Sequence, residues 1–514
     1  MGFFKKIFRS HPRSQNHPGT EGHEEVQMVS PSVSDNLAYI RKSLFHTQDL
    51  KTRELSYHGR DGVLVYLNTM TAFEKIQDGI LKPMSLSEGE KPLEEVLTSP
   101  QVETEEELDP AIEQLIHGHI ILFFEGLKEC YVAQAHAVYR RAVAEPDHEK
   151  VLRGSHEGFV ENLLVNLHLV RKRIDNQQLM VRYLTVGKKN KAKLALVYMH
   201  DLASSEIVEE VERRLQFIRA DSILSSGYVQ EYLEGSSYSP FPQMLNTERP
   251  DRVIGNLMEG RVAILMEGTP TALIVPITFT AFYQSIDDYN MRPFIGSFFR
   301  LIRFISFFLA IFLPSFYISI VSFHYEVIPS ELVFPMKSSV EIVPFPPILE
   351  ALLLELTVEL IREGGIRLPA PIGQTIGIVG GLVIGESAVR AGLVSNTMVI
   401  VVALTAIASF VVPSNEMGAS VRILRFPMMA LASLFGFLGM MFGALLLLIH
   451  LTRLESFGTP FFAPAIPLRL KDMKDMIVRL PLWKLNERPA DAKPQQWNKE
   501  RHSRGWKRDD PQEN

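Results

Sequence analysis

Three carboxylates stand where the chain is otherwise apolar. The stretch FPPILEALLLELTVELIR, 345–362, carries Glu350, Glu355 and Glu359. Glu355 and Glu359 are four apart and share one helical face, and Arg362, three beyond Glu359, is within pairing reach of it. A carboxylate at membrane depth is costly and faces protein or water. This helix is therefore expected either at a membrane interface or lining a polar interior.

A second stretch, PIGQTIGIVGGLVIGESAVRAG (371–392), raises another chemistry. Glycine-rich loops can cradle phosphate, but this one has neither the GxGxxG nor the GxxxxGK pattern, and apolar spans surround it. Read as a helix, Gly377, Gly381, Gly385, Ala388 and Gly392 form one small-residue stripe, the kind that lets helix backbones approach closely in lipid. Gln374, Thr375 and Glu386 are its polar points, and Glu386 can pair with Arg390 one turn on. Asn396, Thr405 and Ser409 extend the polar set into the next apolar segment. By polarity these six are candidate pore-lining positions, with Asn396 and Glu416 as a polar ring at a membrane boundary.

The elements that must hold these residues are apolar spans. Phe304 to Phe323 is twenty residues without a charge, flanked by Arg300 and Arg303 before and Glu326 after; Val394–Val412 and Phe426–Thr452 also lack charges. Each is long enough to cross a bilayer. Four or five spans fit. Four bring both termini to the inner side, which the basic C-terminal tail favours; five leave the tail outside.

The whole-chain averages hide this mosaic. In 514 residues, 46% are hydrophobic and the net charge is −6, yet from about Phe298 to Thr452 long stretches have almost no charge, whereas charged residues are frequent before and after. The organisation expected is a disordered tail (1–34), two mixed α/β subdomains (35–175 and 176–297), a transmembrane domain of four or five helices (298–452), and a basic cytoplasmic C-terminal tail (453–514). The fold class is thus an α+β N-terminal region followed by an all-α polytopic membrane domain. Hairpins are expected around Gly59–Gly62 and at MEGTP, and an amphipathic helix over SSEIVEEVERRLQFI. MGFFKKIFRSHPRSQ is too short and too basic to read as a signal peptide, so the N-terminal region is expected in the cytoplasm.

One cysteine, Cys130, allows no intrachain disulfide and reads as a buried structural thiol. Asp201, Glu206, Glu209 and Glu210 lack calcium-loop spacing and read as a solvated helix face. His156 and His168 read as structural. No nucleophile elbow, HExxH or Walker pattern is present, so neither a catalytic residue, nor a metal, nor a cofactor is assigned, and an enzyme is not expected.

Several long segments carry a family likeness: EPDHEKVLRGSHEGFVENLLVNLHLVRKRI (145–174), FPQMLNTERPDRVIGNLMEGRVAILMEGTPTALIVP (241–276), SIDDYN (285–290), 369–422 and ESFGTPFFAP (455–464). The chain resembles the A subunit of the GerA-type spore germinant receptors. The resemblance spans about Asp35 to Leu480. It implies nutrient sensing at the spore inner membrane, beside a transporter-like B subunit and a C lipoprotein. It also implies a homo-oligomer, a pentamer by expectation, forming a ligand-gated ion channel that releases cations. No nucleic acid partner is implied. A related late-sporulation channel subunit and a secondary transporter remain alternative readings, although no repeat is evident in the membrane block.

Overall fold

The computed structural model describes residues 27–87, 91–99, 101–137, 145–146 and 149–500, apart from a few side chains between 370 and 382. The N-terminal region holds two five-stranded antiparallel sheets. The first is ordered β1-β2-β4-β5-β3, with β1 Leu50–Tyr57, β2 Arg60–Leu67, β3 Val102–Glu105, β4 His119–Phe124 and β5 Cys130–Gln134. The second is ordered β6-β7-β9-β10-β8, with β6 Leu179–Val186, β7 Ala192–Met199, β8 Leu245–Thr247, β9 Val262–Met266 and β10 Ala272–Val275. Both expected hairpins form. β1 and β2 turn at His58–Gly59, both at positive φ, and β9 and β10 turn at Gly268, also at positive φ. Left-handed backbone is what a tight turn needs and glycine supplies.

The two sheets are one unit used twice. Each unit opens with a helix, α1 Val33–Ser43 or α3 Leu163–Arg171. Each places a second helix before its fourth strand, α2 Leu108–Ile116 or α5 Pro250–Leu257. Asn36 and Asn166 sit four residues into the opening helices. Each is buried, and each amide clamps the backbone six residues earlier: Asn36 bonds both polar groups of Ser30, and Asn166 both of Val160. Glu125 and Glu267, on the corresponding hairpin turns, accept from the first helical amides, Val33 N at 3.3 Å and Leu163 N at 3.0 Å. The following glycines, Gly126 and Gly268, both have φ +85° and donate back to Pro31 O and Glu161 O. Two free helix N-termini are thus satisfied by the same device.

The units join through a buried ion pair. Arg171 Nε lies 3.2 Å from Asp49 Oδ2, both essentially inaccessible. Asp49 also accepts from Thr69 N and the Thr69 hydroxyl, and Arg171 donates to Leu179 O. His168, buried as expected, binds Thr69 O through Nδ1. The helix α4, Ser205–Phe217, forms where the amphipathic pattern places it, with Ile207, Val208, Val211 and Leu215 inward.

Two expected boundaries move. Residues 27–34 are not a tail: Met28 bridges Glu107, and Val29 N donates to Glu106 O. The part of the expected tail at 1–26 lies outside the described residues. At the other end, 454–500 folds back over the second unit. Leu454 and Phe461 close a small hairpin, Arg261 binds Asp491, and Gln495 reaches Leu202 and Ala203. The contacts of Asp491 and the Gln495 side chain join residues 230 and 292 positions apart, which a polar, basic composition does not signal.

The C-terminal part is helical. It comprises α6 Pro293–Phe323, α7 Ser330–Glu341, α8 Pro347–Arg367, α9 Ala370–Arg390, α10 Asn396–Phe410 and α11 Asn415–Arg453. By length and composition, α6 and α11 are the two described helices able to cross a membrane, and α10 is a shorter apolar one. α11 is not one straight rod. Gly436 has φ 59° and ψ −139°, and the chain reverses there. Gly443 consequently packs on Met428, and Gly439 approaches Leu431 so closely that a Cβ would overlap its carbonyl. The near ends of both arms touch the second unit, through Ser420 to Pro240 O and His450 to Ser239. Arms of 21 and 17 residues give roughly 31 and 25 Å.

With that reversal the bundle reads as six antiparallel passes. α6 starts at the second unit and ends with Phe323 beside Gly436. α8 returns, α9 goes out with Gly373 against Gly365, and α10 comes back from a Tyr317–Thr397 hydrogen bond to Ser409. The second unit's core runs without a break into the bundle: Phe279 and Phe282 cluster with Phe307, Ala310, Leu451 and Phe461. At the junction Arg300 of α6 is buried between Asp288 and Asp475, and Arg303 binds Asp288 as well.

Candidate functional site: a ladder of charges in the helical bundle

Glu350, Glu355 and Glu359 of α8 face other helices of the bundle. They point into the bundle at successive turns. Glu350, fully buried, accepts from the backbone N–H and the hydroxyl of Ser395. Ser395 in turn caps α10 by accepting from Met398 N. Glu350 thus anchors the far end of α10 through its N-cap, where a negative charge suits the helix dipole.

One and a half turns on, Glu355 pairs with Arg425 of α11, both at 1% exposure or less. Glu359 follows, 3.3 Å from Arg422 Nε. The expected Glu359–Arg362 pair does not form. Arg422 occupies Glu359, and Arg362 reaches Ser409 Oγ at 3.1 Å while its guanidinium stacks over the Phe410 ring at 4.1 Å. Glu350 to Arg362 covers about 18 Å of helix at 1.5 Å per residue. Along that length α8 is bolted to α10 and to the outgoing arm of α11. A buried pair of this kind is costly to break because the surviving partner is left as an uncompensated charge.

The ladder is not saturated. Glu355 Oε1, Glu359 Oε1, Arg362 Nε and two nitrogens of Arg425 have no hydrogen-bond partner among the described residues. Buried polar atoms are normally satisfied, and clusters of exceptions mark places where something other than packing is at work. Sequence reading located the carboxylates but missed Arg422 and Arg425 as partners. The signal was present as two arginines three apart at the edge of an apolar run, and only the fold brings them to Glu355 and Glu359.

The other candidate residues divide. Thr405 and Ser409 are buried on α10, each donating to its own helix, at Val401 O and Ala406 O. Asn396 is exposed at the far end of α10, whereas Glu416 lies at the near end and accepts from Gln230 and Asn246 of the second unit. These two cannot share a ring. On α9 the Glu386–Arg390 pair forms at 2.6 Å and is exposed, as is Thr375. The Gln374 side chain lies outside the described set. A Cβ at Gly377, Gly381 or Gly385 would meet nothing within 4 Å among the described residues. α9 instead packs on α8 through Gly373 and Gly380. Gly392 leaves the stripe: it stands beyond the helix at φ +66°, ending it in the left-handed conformation.

No group of histidine, cysteine and acidic side chains suited to a metal is found among the described residues. Cys130 is buried on β5, and burial pushes its thiol up to about 12.

Comparison with known proteins finds relatives along most of the chain. The family model described as Bacillus/Clostridium GerA spore germination protein matches residues 38–491. Spore germination protein A1 of Bacillus subtilis (strain 168) is 40% identical over 457 residues, covering 88% of this chain and 94% of that one. Spore germination protein KA of the same organism is 36% identical over 479 residues, covering 91% and 88%. An uncharacterized membrane protein, YfkQ, also from Bacillus subtilis, is 38% identical over 492 residues, covering 94% and 95%. The crystal structure of the N-terminal domain of the A subunit of the Bacillus megaterium spore germinant receptor GerK3 covers 49% of this chain and 98% of its own, at 27% identity and a TM-score of 0.38. The chain belongs to the GerA family of spore germination proteins.

Proposed function

We propose that this chain is the A-type subunit of a nutrient germinant receptor. In this reading its helices lie in the spore inner membrane, and several copies assemble into a gated path for cations. The observation that carries the reading is the outer surface of the bundle. Phe298, Phe308, Phe316, Leu438, Phe442 and Leu446 are all exposed there, far more apolar surface than a soluble face leaves open. On that surface α9 alone presents an open glycine stripe with a polar pair at its end. Close helix contacts with further copies would cover Gly377, Gly381 and Gly385, and would bring Thr375 and the Glu386–Arg390 pair toward a shared axis. Six passes put both soluble regions on one side, which we read as cytoplasmic. A transporter-like B subunit and a C lipoprotein are the partners proposed. Nutrient binding in that complex would act here by favouring one of two bundle states.

Cation flux through the purified, reconstituted complex tests the proposal. Flux is expected to respond to nutrient and to fall with Glu386→Ala and Gln374→Ala in normally assembled protein. Unchanged flux in both variants would remove α9 from the path.

A further inference from the structure

A cleft of about 470 Å³ opens between α5 with its following turn and the returning segment 471–499. None of its lining residues belongs to the charge ladder or to the Asp49–Arg171 joint between the two units. Its walls are mixed. Leu245, Ile286, Leu482, Leu485 and Pro489 supply apolar surface. Charged groups supply the rest, and their partners decide what the cleft can accept.

The carboxylates are nearly all committed. Asp251 holds Arg249, Glu259 lies 3.1 Å from Arg261, Glu487 takes Lys471, and Asp475 holds Arg300. Asp472 is the exception, with a single long bond from Ala490 N, and burial pushes its carboxyl above the usual range. The lysines are not committed in the same way. Lys474, Lys484 and Lys499 line the cleft and make no ion pair among the described residues; Lys484 lies only over its neighbour, the Trp483 ring. Three uncommitted cations thus face one weakened carboxylate across an apolar wall. A pocket of this size, mostly preformed and with a few convergent polar groups, is what small-molecule sites look like.

The back wall leads directly to the bundle. Tyr289 lines the cleft and donates to Asp475 Oδ2 at 2.6 Å. Asp475 holds Arg300 Nη1 at 2.7 Å through its carboxylate and again through its carbonyl. Arg300 is two turns into α6. The Tyr289 ring is also covered by the guanidiniums of Arg300 and Arg479. A displacement of Tyr289 or Asp475 therefore changes the seat of α6 with no intervening loop.

We propose that this cleft binds a small organic anion with an apolar body, and that occupancy acts on α6 through Tyr289, Asp475 and Arg300. The inference stands whether or not the bundle conducts ions.

The chain supplies its own reporter. Its three tryptophans are Trp483, Trp497 and Trp506, all in or just beyond the segment that forms one wall. Full-length protein in nanodiscs is titrated with benzoate, citrate and inorganic phosphate, with benzamide as the neutral control, following tryptophan fluorescence. At least one anion is expected to give a saturable change that benzamide lacks. The double reversal Lys484→Glu with Lys499→Glu, at exposed positions that the fold tolerates, is expected to weaken it about tenfold or more. Lys191→Glu, on a remote turn, is expected to leave it unchanged. Hydrogen exchange of the 293–303 amides is then compared with and without saturating anion. Exchange is expected to change in the parent chain and to stay constant in Tyr289→Phe, which removes the hydroxyl and keeps the ring. The site assignment fails if none of the anions differs from benzamide, or if charge reversal leaves affinity intact. The link to α6 fails if exchange at 293–303 ignores the anion in the parent, or responds equally in Tyr289→Phe.

Discussion

The two soluble units share strand order, helix placement and the asparagine–glutamate clamp, yet they carry different loads. The first keeps its cores to itself: both of its apolar clusters draw only on residues between Val29 and Val132 or between Leu64 and Ala135. The second extends its core into α6 and α11 through Phe279, Phe282 and Phe461. The same scaffold thus serves once as a free arm and once as a foundation. Arg41 and Arg171 make the point at one position. They stand in the last turns of equivalent helices, but Arg41 is exposed while Arg171 is buried against Asp49. What differs is the neighbour, not the unit.

Breaking the joint is expected to have the largest effect. Asp49→Ala or Arg171→Ala leaves one buried charge alone and should cost about 3–5 kcal/mol. Limited proteolysis of the full chain should then release the first unit while the second remains attached to the bundle. If both units are lost together, they are not separable loads.

The clamps come next. Asn36→Ala and Asn166→Ala each remove two hydrogen bonds from a buried backbone, at roughly 1–3 kcal/mol for each group left unsatisfied. Hydrogen exchange should rise in the first unit alone for Asn36→Ala. For Asn166→Ala it should rise in the second unit and in α6. Equal spread from both variants would contradict the division of roles.

A third pair tests the likeness itself. Gly126 and Gly268 share φ +85° and have open space where a side chain would begin. Alanine at either is opposed by backbone conformation alone, at about 1–2 kcal/mol, and the two costs should match. A clear difference in denaturation midpoint would mean the turns are not equivalent.

The smallest effect concerns Cys130. Its counterpart in the second unit is Ala272, and both are fully buried. With its thiol pushed up to about 12 by burial, Cys130 stays protonated through neutral pH. Maleimide should label it only after unfolding, and Ala272→Cys should behave alike.

Much of this is legible in the sequence, and the gaps have physical causes. Local patterns were sufficient for the hairpins at Gly59 and Gly268 and for α4, because turn chemistry and periodicity act over a few residues. The polar interior of α8 was legible because three carboxylates in an apolar run need a reason. Their partners were not, since Glu355 and Arg425 are 70 residues apart. The repeat stayed hidden because few identities mark it. Asn36 and Asn166 are 130 positions apart, but Glu125 and Glu267 are 142 apart, so no single offset aligns both ends.

Gly436 carries one last consequence. A helix pair usually declares itself by its connecting loop: polar residues, a protease site, a place for an epitope. Here one residue makes the reversal, and its flanks are Phe435 and Phe437. Apolar composition alone offers Phe426–Thr452 as one continuous segment, whereas the backbone turns back inside it. Where the second arm of α11 delivers the returning segment to the second unit thus turns on a single glycine set between two aromatic residues.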